Sequence, residues 1–170
     1  CDMVSCGECD EESNGCQKIY AITKQAGGST GTPPDVLLSV DGGAVWYAYD
    51  IDSLLIAEDP DEIDCLGNYA VVVSEDSCSL HYVLKSELNG VVAPDFTKVA
   101  TGFVAGGCPR AIKGVGNYAF IAGANGYIYG TADPTAGVDV LDAGVAVADD
   151  FYAVDALDEN FAVAVGENSA

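Results

Sequence analysis

Positive charge is nearly missing from this chain. Six Lys and Arg stand against 27 Asp and Glu, a formal net charge of −21. There is one arginine (Arg110), one histidine (His81), one tryptophan (Trp46) and one methionine (Met3). A phosphate backbone is bound by clustered cations, so this shortage argues against nucleic acid as a partner. It also starves any chemistry that needs several guanidinium groups around a carboxylate. A Ser-His-Asp or Cys-His arrangement would have to use His81. That residue sits in an apparent strand, Leu80-His-Tyr-Val-Leu84, on the face of Val83 and opposite Tyr82, as an ordinary half-buried strand residue would. No apolar run approaches the ~18–20 residues of a spanning helix, so no membrane crossing is expected. No window carries a sustained apolar period of 3.6, and helix should stay under ~10%. Cys1 follows no initiator Met and no signal-like segment, and reads as a processed, trimmed or arbitrary beginning.

Apolar residues are plentiful at 49%, mostly Ala and Val, with 20 glycines. Disordered chains pair high charge with few apolar residues, so this one is expected to fold, with the acid on its surface as an aid to solubility. Residues 1–17 form a Cys-rich acidic leader with Cys1, Cys6, Cys9 and Cys16. Two disulfides there would suit an extracellular or particle-surface chain. A four-thiolate zinc site would suit a reducing compartment, although strong zinc signals carry two Cys-x2-Cys pairs and only Cys6–Cys9 is present. Free thiols are the third reading. Seven cysteines make an odd total, so at least one stays free or pairs between chains. Cys65 and Cys78 are candidates for a pair within one repeat. The clusters Asp50 with Asp52, Asp61 with Glu62 and Asp64, and Asp149 with Asp150 offer oxygen ligands for calcium, the other metal to weigh as a cofactor beside zinc. None resembles an EF-hand loop. As a glycosidase pair they carry little weight, because 27 acids make chance pairs certain.

From residue 18 to 170 the texture is strands and turns. Ile63 to Val73, Ile112 to Ala122 and Val154 to Ala164 share one pattern, in which an apolar run, a polar turn and a second apolar run follow each other. Gly67-Asn-Tyr-Ala70 recurs as Gly116-Asn-Tyr-Ala119, and Asn160-Phe-Ala162 keeps the aromatic after Asn. A period of about 40–50 residues built of short strands is the signature of β-propeller blades. The expected fold is all-β, with antiparallel four-stranded β-propeller blades whose boundaries fall near Asp59, Gly107 and Asp150. Thirteen strands are legible, three in the first unit, four in each of the next two, and two in the last. That is about three and a quarter blades, so the arc should be completed by further chain or by another subunit.

Ser39-Val-Asp41-Gly-Gly43-Ala-Val-Trp46 matches the Asp-box, Ser-x-Asp-x-Gly-x-Thr-Trp, except for Val45 in place of Thr. With the repeats, it makes residues 18–170 resemble the BNR/Asp-box propellers. The last repeat, Val154 to Gly166, is similar to blades of the photosystem-assembly-factor branch. The Cys-containing leader and Gly-rich loops look like Asp-box proteins of tailed-phage particles. The resemblance implies a structural Asp-box of Ser39, Asp41, Gly43 and Trp46 closing the hairpin between a blade's third and fourth strands. Asp41 would turn into its own hairpin, and Trp46 would be largely buried between neighbours. Sialidase activity, known in this family, needs an arginine cluster that Arg110 alone does not supply. The expected function is therefore a non-enzymatic structural or interaction protein, an extracellular or virion-surface component that contacts other protein subunits. The alternative is a carbohydrate-binding adhesin or remnant glycosidase module, using tyrosines such as Tyr47, Tyr49, Tyr69, Tyr82, Tyr118, Tyr127 and Tyr129 to stack on glycans. Those tyrosines mostly alternate along strands, where packing is the ordinary role.

Overall fold

The computed structural model describes residues 3–4, 18–23, 36–49, 60–89, 95–143 and 149–167. It is all-β, with four antiparallel sheets. The first holds β1 (Met3–Val4), β2 (Ile19–Ile22), β3 (Val36–Ser39) and β4 (Tyr47–Tyr49), in that order. The second holds β5 (Glu62–Leu66), β6 (Tyr69–Ser74), β7 (Ser79–Leu84) and β8 (Thr97–Val99). The third holds β9 (Pro109–Val115), β10 (Tyr118–Gly123), β11 (Tyr127–Thr131) and β12 (Asp139–Ala143). The fourth is the hairpin β13 (Phe151–Asp158) and β14 (Phe161–Gly166). Breaks between sheets fall where the repeat period places them. One three-residue 3₁₀ turn, Ala124–Gly126, is the only helix among the described residues.

Among the described residues there are fourteen strands, one more than the thirteen legible in the sequence. Met3–Val4, inside the leader, pairs antiparallel with Ala21 and Tyr20 and brings the first sheet to four strands. A two-residue strand carries no alternation to read, and its pairing comes from the open edge of β2 rather than from its own sequence.

The sheets stack face to face in chain order, and the alternation along each strand shows how. In β6, Ala70 and Val72 pack with Tyr20, Ile22, Val36, Leu38 and Tyr49 of the first sheet. Val71 and Val73 point the other way, onto Ile112, Ala119, Ile121 and Tyr129 of the third. In β10, Ala119 and Ile121 face the second sheet, while Phe120 and Ala122 face Val154, Ala162 and Ala164 of the fourth. A strand covered on both faces must be apolar at every position, which accounts for the unbroken run Ala70-Val-Val-Val73. Each of these buried Val and Ile side chains contributes roughly 1.5–3 kcal/mol. First strands of the last three sheets adjoin, β5 lying against β9 and β9 against β13, while the first sheet meets β5 through β2.

Candidate functional site

Two kinds of polar structure stand out, the hairpins at the third-to-fourth strand turns and a set of side chains joining one sheet to the next. The segment Ser39 to Trp46 joins β3 to β4 as a hairpin. Ser39 Oγ donates to Asp41 Oδ1 at 2.8 Å and accepts from the Gly43 N–H at 2.7 Å. The Val45 N–H donates to Asp41 Oδ1 at 2.9 Å. The Val45 N–H, and after it the Ser39 hydroxyl, hold the Asp41 carboxyl below the usual carboxylate range. Gly42 and Gly43 have φ of 72° and 97°, a region open to glycine with little cost. Asp41 therefore belongs to its own turn, as expected.

Trp46 does not follow the expectation of burial, being 38% exposed. Tyr47 packs on the core between the first two sheets and Tyr49 is buried in it. By alternation the Trp46 ring then belongs to the opposite face, with Ala48. It lies over Gly43 near Ile19, on the side away from the second sheet. Gly43→Ala should cost at least about 1 kcal/mol, because φ is positive there. Asp41→Ala should speed hydrogen exchange at the Val45 amide and leave Leu37 protected. Equal protection at Val45 in both proteins would remove the role given to Asp41.

The same turn of the third sheet carries half of this device. The Asp133 N–H donates to Thr131 Oγ1 at 3.1 Å, and the Thr135 N–H donates to Asp133 Oδ1 at 2.9 Å. Thr131 and Asp133 stand where Ser39 and Asp41 stand. The longer loop through Pro134 hides the likeness in the sequence.

Between sheets, carboxylates of one first strand accept N–H groups of the next. Glu62 Oε2 accepts from Ile112 N–H at 2.6 Å, and Asp64 Oδ2 accepts from Gly114 N–H at 3.0 Å. The other Asp64 oxygen accepts from Cys65 N–H at 2.7 Å. Asp64 is buried, and that burial pushes its carboxyl above the ordinary value against the pull of those two N–H groups. The approach is close enough that a Cβ on Gly114 would overlap the Cys65 carbonyl oxygen. At the adjoining turns, Gly67 N–H donates to the Gly116 carbonyl at 2.9 Å.

Arg110 ties three sheets together. It pairs with Glu75 in the β6–β7 turn at 2.5 Å and with Asp150 ahead of β13 at 2.7 Å. Its guanidinium also lies 4.9 Å from the Tyr152 ring centroid. The bond to Glu75, then that to Asp150, raises its already high pKa further. Asp150, held below the usual range first by the Asn125 N–H and then by Arg110, is likewise engaged. Glu62, Asp64 and Asp150 of the acidic clusters thus supply braces, and Asp61 accepts from the Glu75 N–H. Among the described residues, no three His, Cys, Asp or Glu side chains gather as a metal site would require. His81 is buried on the Val83 side and meets Ser79 Oγ at 3.0 Å. Tyr20, Tyr49 and Tyr129 are buried, and Tyr129 donates to the Gly107 carbonyl at 2.6 Å.

The candidate Cys65–Cys78 pair gives way to Cys78–Cys108, whose Cα atoms are 4.6 Å apart. Cys65 lies opposite Ala70, four residues along β6 from the Ser74 end where Cys78 sits. That is about 13 Å of strand, beyond the reach of a disulfide. Stacking of the second and third sheets brings Cys108 to Cys78 instead. Cys65 is itself disulfide-bonded. The leader positions Cys1, Cys6, Cys9 and Cys16, and the acids Asp50 and Asp52, lie outside the described residues.

No family model matches the chain, and no curated protein or solved structure matches it either.

Proposed function

We propose that the protein is a non-enzymatic structural or interaction subunit, an arc of β-propeller-type blades working at the surface of a virus particle or a similar extracellular assembly. The observation that carries this reading is what happens to the charged groups between the sheets. Arg110, Glu62, Asp64, Glu75 and Asp150 each hold one sheet to another. Groups so engaged are not poised for proton transfer or for clamping a substrate. Two further features support the blade reading: four-strand meanders joined in chain order, and first strands that adjoin across the last three sheets. The Cys78–Cys108 bond supports an oxidising setting, since such bonds persist outside the reducing cytosol. The large negative charge keeps a surface component soluble.

Trp46 favours a second reading. An exposed indole beside a rigid hairpin is a platform on which a sugar ring can stack, as a carbohydrate-binding adhesin would require. A glycan array combined with a panel of chromogenic glycosides separates the two. The expected result is no specific retention and no hydrolysis. Retention abolished by Trp46→Ala would replace the first reading with the second.

A further inference from the structure

The fourth sheet ends the stack with an apolar face turned to solvent. Leu157 is 81% exposed, Val165 58%, Phe161 56% and Val163 50%. Ala162 and Ala164, between them, pack on the third sheet, so these four side chains point the opposite way. Their positions repeat those of the second sheet. Asp155, Leu157, Phe161, Val163 and Val165 take the places of Asp64, Leu66, Tyr69, Val71 and Val73 in the shared pattern. In the second sheet that face is covered: Leu66, Val71 and Val73 lie in the core made with the third sheet. Asp64 there bonds its own following N–H and one from the arriving first strand. Asp155 already makes the first of these bonds, to Ala156 N–H at 2.9 Å.

The first sheet has a second face, turned away from the second sheet. Tyr20, Ile22, Val36 and Leu38 face the second sheet, which leaves Ile19, Ala21, Leu37, Ala48 and Trp46 on the other side. Ala48 and Trp46 are exposed, Ile19 and Leu37 are half-buried, and Ala21 is buried. The exposed Ala48 leaves room on this face for a large side chain of the fourth sheet, as Ala119 of the third sheet does for the second.

We infer that a second copy of this chain seats its first sheet on the fourth sheet of its neighbour, continuing the stack in the same register. The strand placed to meet Asp155 is then β1, which stands in the first sheet where β9 stands in the third. Such contacts are head-to-tail. Two copies joined reciprocally would form a ring of eight sheets, at the upper end of the usual propeller range. Each copy carries −21 charges, so the contact tightens with salt as the screening length falls from ~30 Å at 0.01 M to ~8 Å at 0.15 M.

This inference rests on reading the protein as an assembly subunit, and its test is separable from the glycan array. Light scattering coupled to size exclusion, across protein and salt concentration, should give twice the chain mass of 17.4 kDa or a higher multiple. Trp46, the sole tryptophan, sits at the contact. Its emission should move to the blue, and its quenching by acrylamide should fall, as the mass rises. Leu157→Asp and, separately, Val163→Asp should weaken association at least about tenfold and return Trp46 to its exposed state. Both side chains are solvent-facing, so circular dichroism should not change. A mass of 17.4 kDa under every condition overturns the inference. So does an assembly in which Trp46 stays as quenchable as in the Leu157→Asp monomer, since the copies would then meet by other faces. Glycan retention would instead defeat the assembly reading and leave the mass unmoved.

Discussion

Gly114→Ala should destabilise the protein by at least about 3–5 kcal/mol, a third or more of the stability of a typical domain. A Cβ at this position would overlap the Cys65 carbonyl oxygen, with the carbonyl carbon 2.8 Å away. Both atoms are backbone, so no side chain can rotate aside. The strands β5 and β9 must part, and overpacking of this kind costs about 1–3 kcal/mol by itself. Parting also breaks the bonds from Gly114 N–H to Asp64 and from Ile112 N–H to Glu62. Asp64 would stay buried with one donor fewer, a further ~1–3 kcal/mol. The check is a guanidinium unfolding curve, with Gly42→Ala in the exposed hairpin as a control costing about 1 kcal/mol for its positive φ. A Gly114→Ala midpoint equal to wild type would mean that the second and third sheets do not meet at this distance. Asp64→Ala serves as a companion, expected to lose the two N–H bonds without the clash.

Much of the architecture was legible in the sequence because it depends on local period. Ala70-Val-Val-Val73 announces a strand covered on both faces, and Gly116-Asn117 marks the turn that joins two such strands. Repetition of the pair then implies repeated sheets, and the breaks near Asp59, Gly107 and Asp150 follow. What the period does not encode is contact between repeats. Glu62, Asp64 and Glu75 look like any of 27 acids until stacking aims them at N–H groups or at Arg110. One signal was available for them. Asp64, Lys113 and Asp155 occupy one position of the pattern with alternating charge, and Lys113 does reach Asp155 at 3.4 Å. Trp46 illustrates a different limit. The turn of Ser39, Asp41 and Gly43 is local and forms from its own residues, but burial of Trp46 needs a neighbour on the face away from the second sheet.

Replacing both Cys78 and Cys108 should lower stability by about 3–4 kcal/mol, the loop-closure entropy released when a bond spanning 30 residues is removed from the unfolded chain. Reductant alone cannot make this measurement, because Cys65 is also disulfide-bonded and would be released with it. The double variant Cys78→Ala with Cys108→Ala isolates the one bond. Cys78 sits at φ 49°, so alanine there keeps the backbone strain while glycine relieves it. Cys78→Gly with Cys108→Ala should therefore recover up to about 1 kcal/mol of the loss. The unfolded state becomes less confined in both variants, so the denaturant slope should rise as the midpoint falls. The bond joins the β6–β7 turn to the entry of β9, beside the Glu75–Arg110 pair, so the second and third sheets should loosen first at that end. Hydrogen exchange in the double variant should accelerate at Ala111 before it does at Gly114, which Asp64 still holds. Uniform acceleration along β9 would show that the sheets separate as one unit and that the disulfide acts only on the unfolded chain. An unchanged midpoint would remove it as a stabilising element altogether.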